Sequence, residues 1–253
     1  MEEAAVAKCR DTAGRRHACP RHHGHASGLS QPIHQRLEHR TILNARYLRP
    51  VGFYERAILP RLIHAQMRQE RFRPYRHRLV SAAEGRVLEI GFGSGLNLPM
   101  YTGLTLLIGL DPSARALSIA RLAASQATYP VEILEGSAEA IPIDGHSVDV
   151  VVAAWTLCSI PDVRRALQEV RRVLMPSGRF LFVEHGRSPD ANVALWQQRL
   201  TPLWKRIAGG CHLDRPVGPL VEQAGFRIER MHTGYMPGPR PLTFMYEGCA
   251  RAL

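Results

Sequence analysis

The residues best able to do chemistry begin with one carboxylate and three glycines. Glu89 sits in the run Arg86-Val87-Leu88-Glu89-Ile90, and Gly91, Gly93 and Gly95 follow at alternate positions. A second acid, Asp111, ends the apolar run Leu104 to Leu110. Glycines at such a turn let the backbone bend sharply and approach a ligand without a Cβ in the way. A carboxylate at a strand tip can accept hydrogen bonds from both hydroxyls of a ribose. The pattern is therefore that of a nucleotide-type cofactor site.

The glycine spacing narrows the cofactor. A dinucleotide turn needs glycine at the sixth position, which here is Leu96. The Glu89 carboxylate, two residues before the first glycine, would repel a pyrophosphate. It suits a cation or a group of hydroxyls and amines. S-adenosylmethionine meets that description, with a sulfonium, an α-amino group and no phosphate. Glu89 is then expected to hold the loop and the methionyl amine, directly or through water. The loop Ser137-Ala138-Glu139 is expected to edge the adenine, and Ala154 joins the cofactor set.

Other reactive types fall after the later strands. Trp155 and Cys158 follow the fourth strand and His185 follows the fifth, at the edge where such sheets bind ligands. His185 is the candidate base or orienting group; the plainer alternative is a histidine bonded to loop backbone. Trp155 can face a sulfonium or simply pack as wall, and Cys158 can be a small buried apolar residue. Cys211 and His212, after Gly209-Gly210, are candidates for the acceptor pocket. No metal site is expected, since an adjacent Cys-His pair is too little and no CxxC pair occurs.

The elements that must position these residues read as alternating strands and helices. Strands are expected at Arg86–Ile90, Thr105–Leu110, Val131–Leu134, Val148–Ala153 and Arg179–Glu184, with Phe226–Met231 and Thr243–Cys249 closing as an antiparallel hairpin. Asn97-Leu98-Pro99 looks like the start of a helix. Helices follow Asp111-Pro112-Ser113, with Ala114, Leu117, Ala120 and Leu122 on the apolar face, and run from Pro161 to Leu174, Asn192 to Ile207 (broken near Pro202) and Arg215 to Ala224. The fold class is α/β: a Rossmann-like, doubly wound, seven-stranded sheet, mostly parallel with an antiparallel terminal strand, plus N-terminal helices.

Residues 1–32 read as a disordered extension, 33–83 as a helical cap or lid, and 84–253 as the cofactor-binding domain. In the cap, Phe53, Ala57, Ile58, Leu62 and Ala65 recur at helical spacing, Pro60 should kink or split the helix, and a second helix spans Tyr75 to Ala83. The net charge of +11 is uneven: residues 41–80 carry nine arginines against two acids, residues 81–253 seventeen cations against sixteen acids. The body thus shows no basic groove, and no nucleic-acid partner is expected. The basic helices keep two rivals open, RNA binding or modification and peripheral membrane contact. With no long apolar run, no h-region and five scattered cysteines, a cytoplasmic location is expected.

With Gly109-Leu110-Asp111-Pro112, Ala138-Glu139-Ala140-Ile141-Pro142-Ile143-Asp144 and Glu169 to Gly178 added to the glycine turn, the chain resembles the class I S-adenosylmethionine-dependent methyltransferases over residues 85 to 185. Trp155 to Ile160, Val183-Glu184-His185, Trp196-Gln197, Pro202 to Lys205 and Gly209-Gly210-Cys211 extend a resemblance to the microsomal alkyl-thiol methyltransferase-like subfamily, from about Val51 to Leu253. This resemblance implies methylation of a small molecule, with a thiol as one acceptor. Lipid, quinone and amine acceptors compete. The mammalian members' N-terminal hydrophobic anchor is not seen, and Ser137 replaces the aspartate more usual in the adenine loop.

Overall fold

The computed structural model describes Tyr54 and residues 58–253, so the expectation for residues 1–32, and most of that for 33–57, lies outside the described residues. Seven strands form one sheet: β1 (Gly85–Ile90), β2 (Leu104–Asp111), β3 (Val131–Glu135), β4 (Val148–Ala154), β5 (Leu174–His185), β6 (Phe226–Tyr235) and β7 (Phe244–Ala252). Their spatial order is β3-β2-β1-β4-β5-β7-β6. The first five are parallel, and β7 enters antiparallel between β5 and β6. The chain reverses direction across the sheet between β1 and β4, the switch point at which open α/β sheets bind ligands.

Strand alternation builds a core on each face. Leu88 and Ile90 of β1 point to one face, where they join Leu167 and Val170 of α4 (Val163–Val173). Val87 points to the other and joins Leu79 of α2 (Arg73–Val80) and Leu117 of α3 (Ala114–Ala124). Both faces of β4 are covered, which explains its unbroken apolar run, Val150-Val151-Val152-Ala153. Burial of each such valine contributes about 1.5–3 kcal/mol, so this run fixes β4 at the centre of the sheet.

Several expectations are corrected. Pro60 lies in the first turn of α1 (Leu59–Met67), where its missing N–H costs nothing; the segment before Ile58 that it was expected to kink or split off lies largely outside the described residues. Ile58, Leu62 and Ala65 are exposed, and Leu59 is the buried residue of that helix. The second helix starts at Arg73 and ends at Val80. After the glycine turn there is only a 3-10 turn, Leu98–Met100, because the Asn97 side chain turns inward to Glu89. Ala114 is exposed and Leu122 is 74% exposed; Ala116 takes their place on the buried face of α3. Helix α5 (Ala191–Ile207) runs unbroken through Pro202. Helix α6 (Val217–Gln223) starts later than expected, and Leu174 opens β5 and does not end α4.

Candidate active site

The glycine turn is tied to the second strand. Gly93 N–H donates to Asp111 Oδ2 over 2.9 Å, and Ser113 N–H donates to Asp111 Oδ1 over 2.8 Å. Each oxygen keeps a free lone pair. A Cβ on Gly91, with φ at 67°, would collide with the Thr156 side chain. A Cβ on Gly93 would meet nothing nearer than the Gly91 carbonyl at 3.8 Å, so it would fill open space in the cavity that Gly93 lines. Gly95 is different: a Cβ there would overlap Leu98, and the residue packs under the turn without lining the cavity.

Glu89 is buried at the floor. Its Oε1 accepts from Asn97 Nδ2 over 2.7 Å and its Oε2 from the Tyr101 hydroxyl over 2.8 Å. Burial pushes this carboxyl up to about 7, against the opposing pull of Tyr101, Asn97 and Arg76. Burial also raises Asp111, while the Ser113 and Gly93 N–H groups pull it back. Ser137 and Ala138 line the cavity beyond Asp111. Glu139 does not: its Oε1 accepts from Asp162 N–H over 2.6 Å and so pins the loop to the start of α4. Its spacing fits the adenine loop, but its side chain faces the protein.

The residues before β1 supply contacts that sequence reasoning missed. Arg76, buried on α2, donates to Asn97 Oδ1 over 3.1 Å and to the Met67 carbonyl over 3.0 Å. Its guanidinium lies over the Trp155 ring, 5.0 Å from the centroid. The Phe72 ring meets Trp155 edge-on at 5.1 Å. Trp155 has φ at 53°, uncommon for a side chain of that size, and its buried Nε1 has no hydrogen-bond partner. His64 Nδ1 lies 2.6 Å from Ser94 Oγ of the glycine turn, and His64, Arg71, Phe72 and Arg76 all line the cavity. The sequence marks this segment only as part of a helical cap or lid over residues 33–83; the dense arginine and aromatic run over 71–78 does not single out which side chains turn inward.

At the far end β4 and β5 deliver the acceptor-side residues. Glu184, fully buried, accepts from the N–H groups of Thr156 (2.8 Å), Leu157 (2.9 Å) and Cys158 (3.4 Å). Burial pushes Glu184 up to about 7, against those N–H groups. The Arg215 guanidinium donates to the Leu157 and Ile160 carbonyls, closing the same loop. His185 is buried, and its Nε2 lies 3.5 Å from Cys211 Sγ, which is itself 3.5 Å from Cys158 Sγ. Hydrogen bonding to Cys211 and burial push the Cys158 thiol well up. Burial lowers the His185 imidazole, but the Cys158 sulfur and then Glu184 outweigh it and hold it above the ordinary histidine value.

One cavity of about 570 Å³ joins the two ends, a volume in the range of small-molecule sites. It is lined by Glu89, Gly91, Gly93, Asp111, Ser137, Ala138, Ala154, Trp155, Cys158, His185 and Cys211 among the sequence candidates. Gly95, Glu139 and His212 are not on it. His212 turns its ring toward Asp214, with Nδ1 3.8 Å from Oδ1, and gives its main-chain N–H to the Cys158 carbonyl.

These residues fit S-adenosylmethionine. Asp111 retains acceptors of the kind a ribose needs, the space beside Gly93 admits a ligand at van der Waals range, and Glu89 and Arg76 present a carboxyl and a guanidinium to the same cavity. The sheet order, the acid-tipped second strand and the glycine turn define a class I S-adenosylmethionine-dependent methyltransferase. A family model described as a methyltransferase domain matches residues 88–182.

Human thiol S-methyltransferase TMT1B is 35% identical over 175 residues, 67% of this chain and 70% of that protein. Rat TMT1B is 35% identical over 147 residues, 56% of this chain and 60% of its own length, so the match leaves a substantial part of these relatives uncovered. The chain belongs to the methyltransferase family that includes TMT1B. Phosphatidylethanolamine N-methyltransferase of Cereibacter sphaeroides is 33% identical over 42% of this chain and 53% of that one. Among solved structures, YcgJ from Bacillus subtilis superposes with a TM-score of 0.55 at 19% identity, over 71% of this chain and 96% of that one. An S-adenosylmethionine-dependent methyltransferase from Mesorhizobium loti gives 0.56 at 18%, over 72% and 97%. At such identities the likeness concerns the fold.

Proposed function

We propose that this protein transfers a methyl group from S-adenosylmethionine to the sulfur of a small apolar thiol. The observation that carries the reading is the single cavity, whose Asp111–Gly93 end suits the cofactor and whose other end brings together His185, Cys158 and Cys211 beside apolar wall. The TMT1B relatives, named as thiol S-methyltransferases, support the same acceptor.

When bound, the cofactor supplies a methyl group on a sulfonium that needs no further activation. The protein's own part is alignment and exclusion of water. Gly91 and Gly93 bring backbone against the ligand, Asp111 and Glu89 orient it, and Phe72 and Trp155 close the wall above it. An acceptor thiol, with an ordinary pKa of about 8.5, needs only modest help to lose its proton near neutral pH. That help falls to the polar cluster around His185. Several of the described arginines before β1 have partners within the protein. Arg76 is buried, Arg71 lines the cavity, and Arg78 is paired with Glu247 at 2.8 Å.

The test is transfer of label from methyl-labelled S-adenosylmethionine to a panel containing alkyl thiols, amines, quinols and phosphatidylethanolamine. Label on thiols and on no other class is expected. Turnover of amine or lipid with thiols untouched would reject the acceptor while leaving the family membership intact.

A further inference from the structure

Three soft ligand atoms meet at the acceptor end of the cavity. They are Cys158 Sγ, Cys211 Sγ and a ring nitrogen of His185, all within 4.8 Å of one another. The two sulfurs are 3.5 Å apart, and Cys211 Sγ is 3.5 Å from His185 Nε2. Ligand atoms sharing one tetrahedral zinc ion at Zn–S about 2.3 Å and Zn–N about 2.0 Å stand ~3.8 Å (S to S) and ~3.5 Å (S to N) apart. The two separations that involve Cys211 lie within about 0.3 Å of those values, and Cys158 Sγ and the His185 nitrogen stand within 4.8 Å of each other.

The cluster is also built. Glu184 holds the loop that carries Cys158 by its N–H groups. The His212 N–H donates 2.8 Å to the Cys158 carbonyl and so ties the Cys211 loop to the Cys158 loop. Arg215, donating to the carbonyls of Leu157 and Ile160, sets a buried cation beside the sulfurs. Fixed outer contacts of this kind are what orient metal ligands.

We propose that Cys158, His185 and Cys211 bind one zinc ion, with the fourth position open to the cavity where the acceptor thiol enters. Two thiolates and a neutral imidazole balance the divalent charge of the ion itself. Soft sulfur ligands select zinc over magnesium or calcium. Three protein ligands with a free fourth position is the pattern of a reactive zinc, not a structural one. A thiol entering at that position would give up its S–H proton to solvent, and the ion would hold the resulting thiolate in the same cavity that Asp111 and Gly93 line. His185 then acts as a ligand and not as a base. Metal binding stands apart from the thiol acceptor proposed above; only the use of the fourth position rests on it.

Cobalt titration of the chelator-treated, reduced full-length protein tests the site. One equivalent of Co²⁺ per chain is expected, with a thiolate-to-cobalt charge-transfer band and the intense visible bands of tetrahedral coordination, and Zn²⁺ should displace it. Cys158→Ser, Cys211→Ser and His185→Ala should each weaken binding at least tenfold, while Cys249→Ser, outside the cluster, should bind as the parent does. Circular dichroism and S-adenosylhomocysteine binding report whether each variant is folded. Ethanethiol should shift the visible bands of the cobalt protein. No cobalt uptake by the reduced protein, or equal uptake by the Cys158→Ser/Cys211→Ser double variant, would overturn the metal site. A Cys158–Cys211 disulfide in the isolated protein, with no uptake after reduction, would overturn it in favour of a redox pair. Bands that ethanethiol leaves unmoved would overturn the open fourth position. Activity toward thiols in the labelled-cofactor assay is read separately, so loss of one reading does not mask the other.

Discussion

The main-chain N–H of Gly93 donates to Asp111 Oδ2 over 2.9 Å, so the acid proposed to hold the ribose also fixes the turn beside it. Removing that carboxylate should therefore cost more than one ligand contact. Asp111→Ala is expected to weaken S-adenosylmethionine binding by about 100-fold, and Asp111→Asn by less, since charged hydrogen bonds carry ~1.5–3 kcal/mol. Isothermal titration calorimetry measures both. An unchanged dissociation constant for the alanine variant would remove Asp111 from the cofactor site.

Gly91 and Gly93 should fail for different reasons. Gly91→Ala puts a Cβ into the Thr156 side chain at φ 67°, so stability should fall by about 2 kcal/mol or more. Gly93→Ala meets no protein atom within 3.4 Å, and its φ of 56° should cost only about 1–2 kcal/mol. Its methyl group takes ligand space, so cofactor affinity should drop more than tenfold. Thermal denaturation paired with calorimetry separates the two; equal losses of stability would refute the distinction.

Arg76 joins Asn97, Trp155 and the Glu89 charge in one buried group. Arg76→Leu should destabilise the protein by about 3 kcal/mol, the usual result of removing one partner from a buried charged network. It should also move Glu89 higher, because the Arg76 charge is one of the influences holding that carboxyl down. Denaturant melts of Arg76→Leu and Arg76→Lys check this, with the lysine variant expected to recover part of the loss.

Glu89 carries a pH dependence of opposite sign for folding and for binding. Its carboxyl is raised to about 7 in the fold, so its contribution to stability is present below the unfolded value and is lost as pH rises through about 7. A cofactor amine needs the carboxylate, so binding should strengthen as pH rises through the same value, by up to about tenfold per unit below it. Glu89→Gln should flatten the binding profile. It should flatten the stability profile only in part, because Glu184 also titrates at about 7. Calorimetry across about pH 6 to 8 gives the first profile and thermal melts the second; a pH-independent affinity in the parent protein would exclude the carboxylate from amine recognition.

Much of the fold was legible because its signals are local. A buried parallel strand announces itself as an apolar run, and all five parallel strands were placed to within a few residues, with the closing hairpin as well. The misreadings came where a side chain had two equally local choices. Asn97 resembles a helix cap, but it donates to Glu89, and the expected helix shrinks to one turn. Ile58, Leu62 and Ala65 keep helical spacing, yet which stripe of α1 is buried depends on where the helix lands, and Leu59 is the one covered.

The sequence by itself determined that Glu89, the glycine turn and Asp111 come together. Glu89, the glycine turn and Asp111 lie on consecutive strand tips, and parallel pairing of β1 with β2 brings them together however the rest of the chain packs. Only the tertiary structure decided the acceptor end. Strand order puts Cys158 and His185 at the same sheet edge, but Cys211 is 53 residues beyond Cys158, and no spacing brings the three side chains into contact. They meet because β4 and β5 end side by side, Glu184 folds the 156–158 loop inward, and the His212 N–H closes the Cys211 loop onto Cys158. Arg76 reaches the cavity in the same way, by packing of a helix that the sequence marks as cap or lid without showing which face turns inward. Such contacts are set by where whole elements dock, and no periodicity along the chain encodes them.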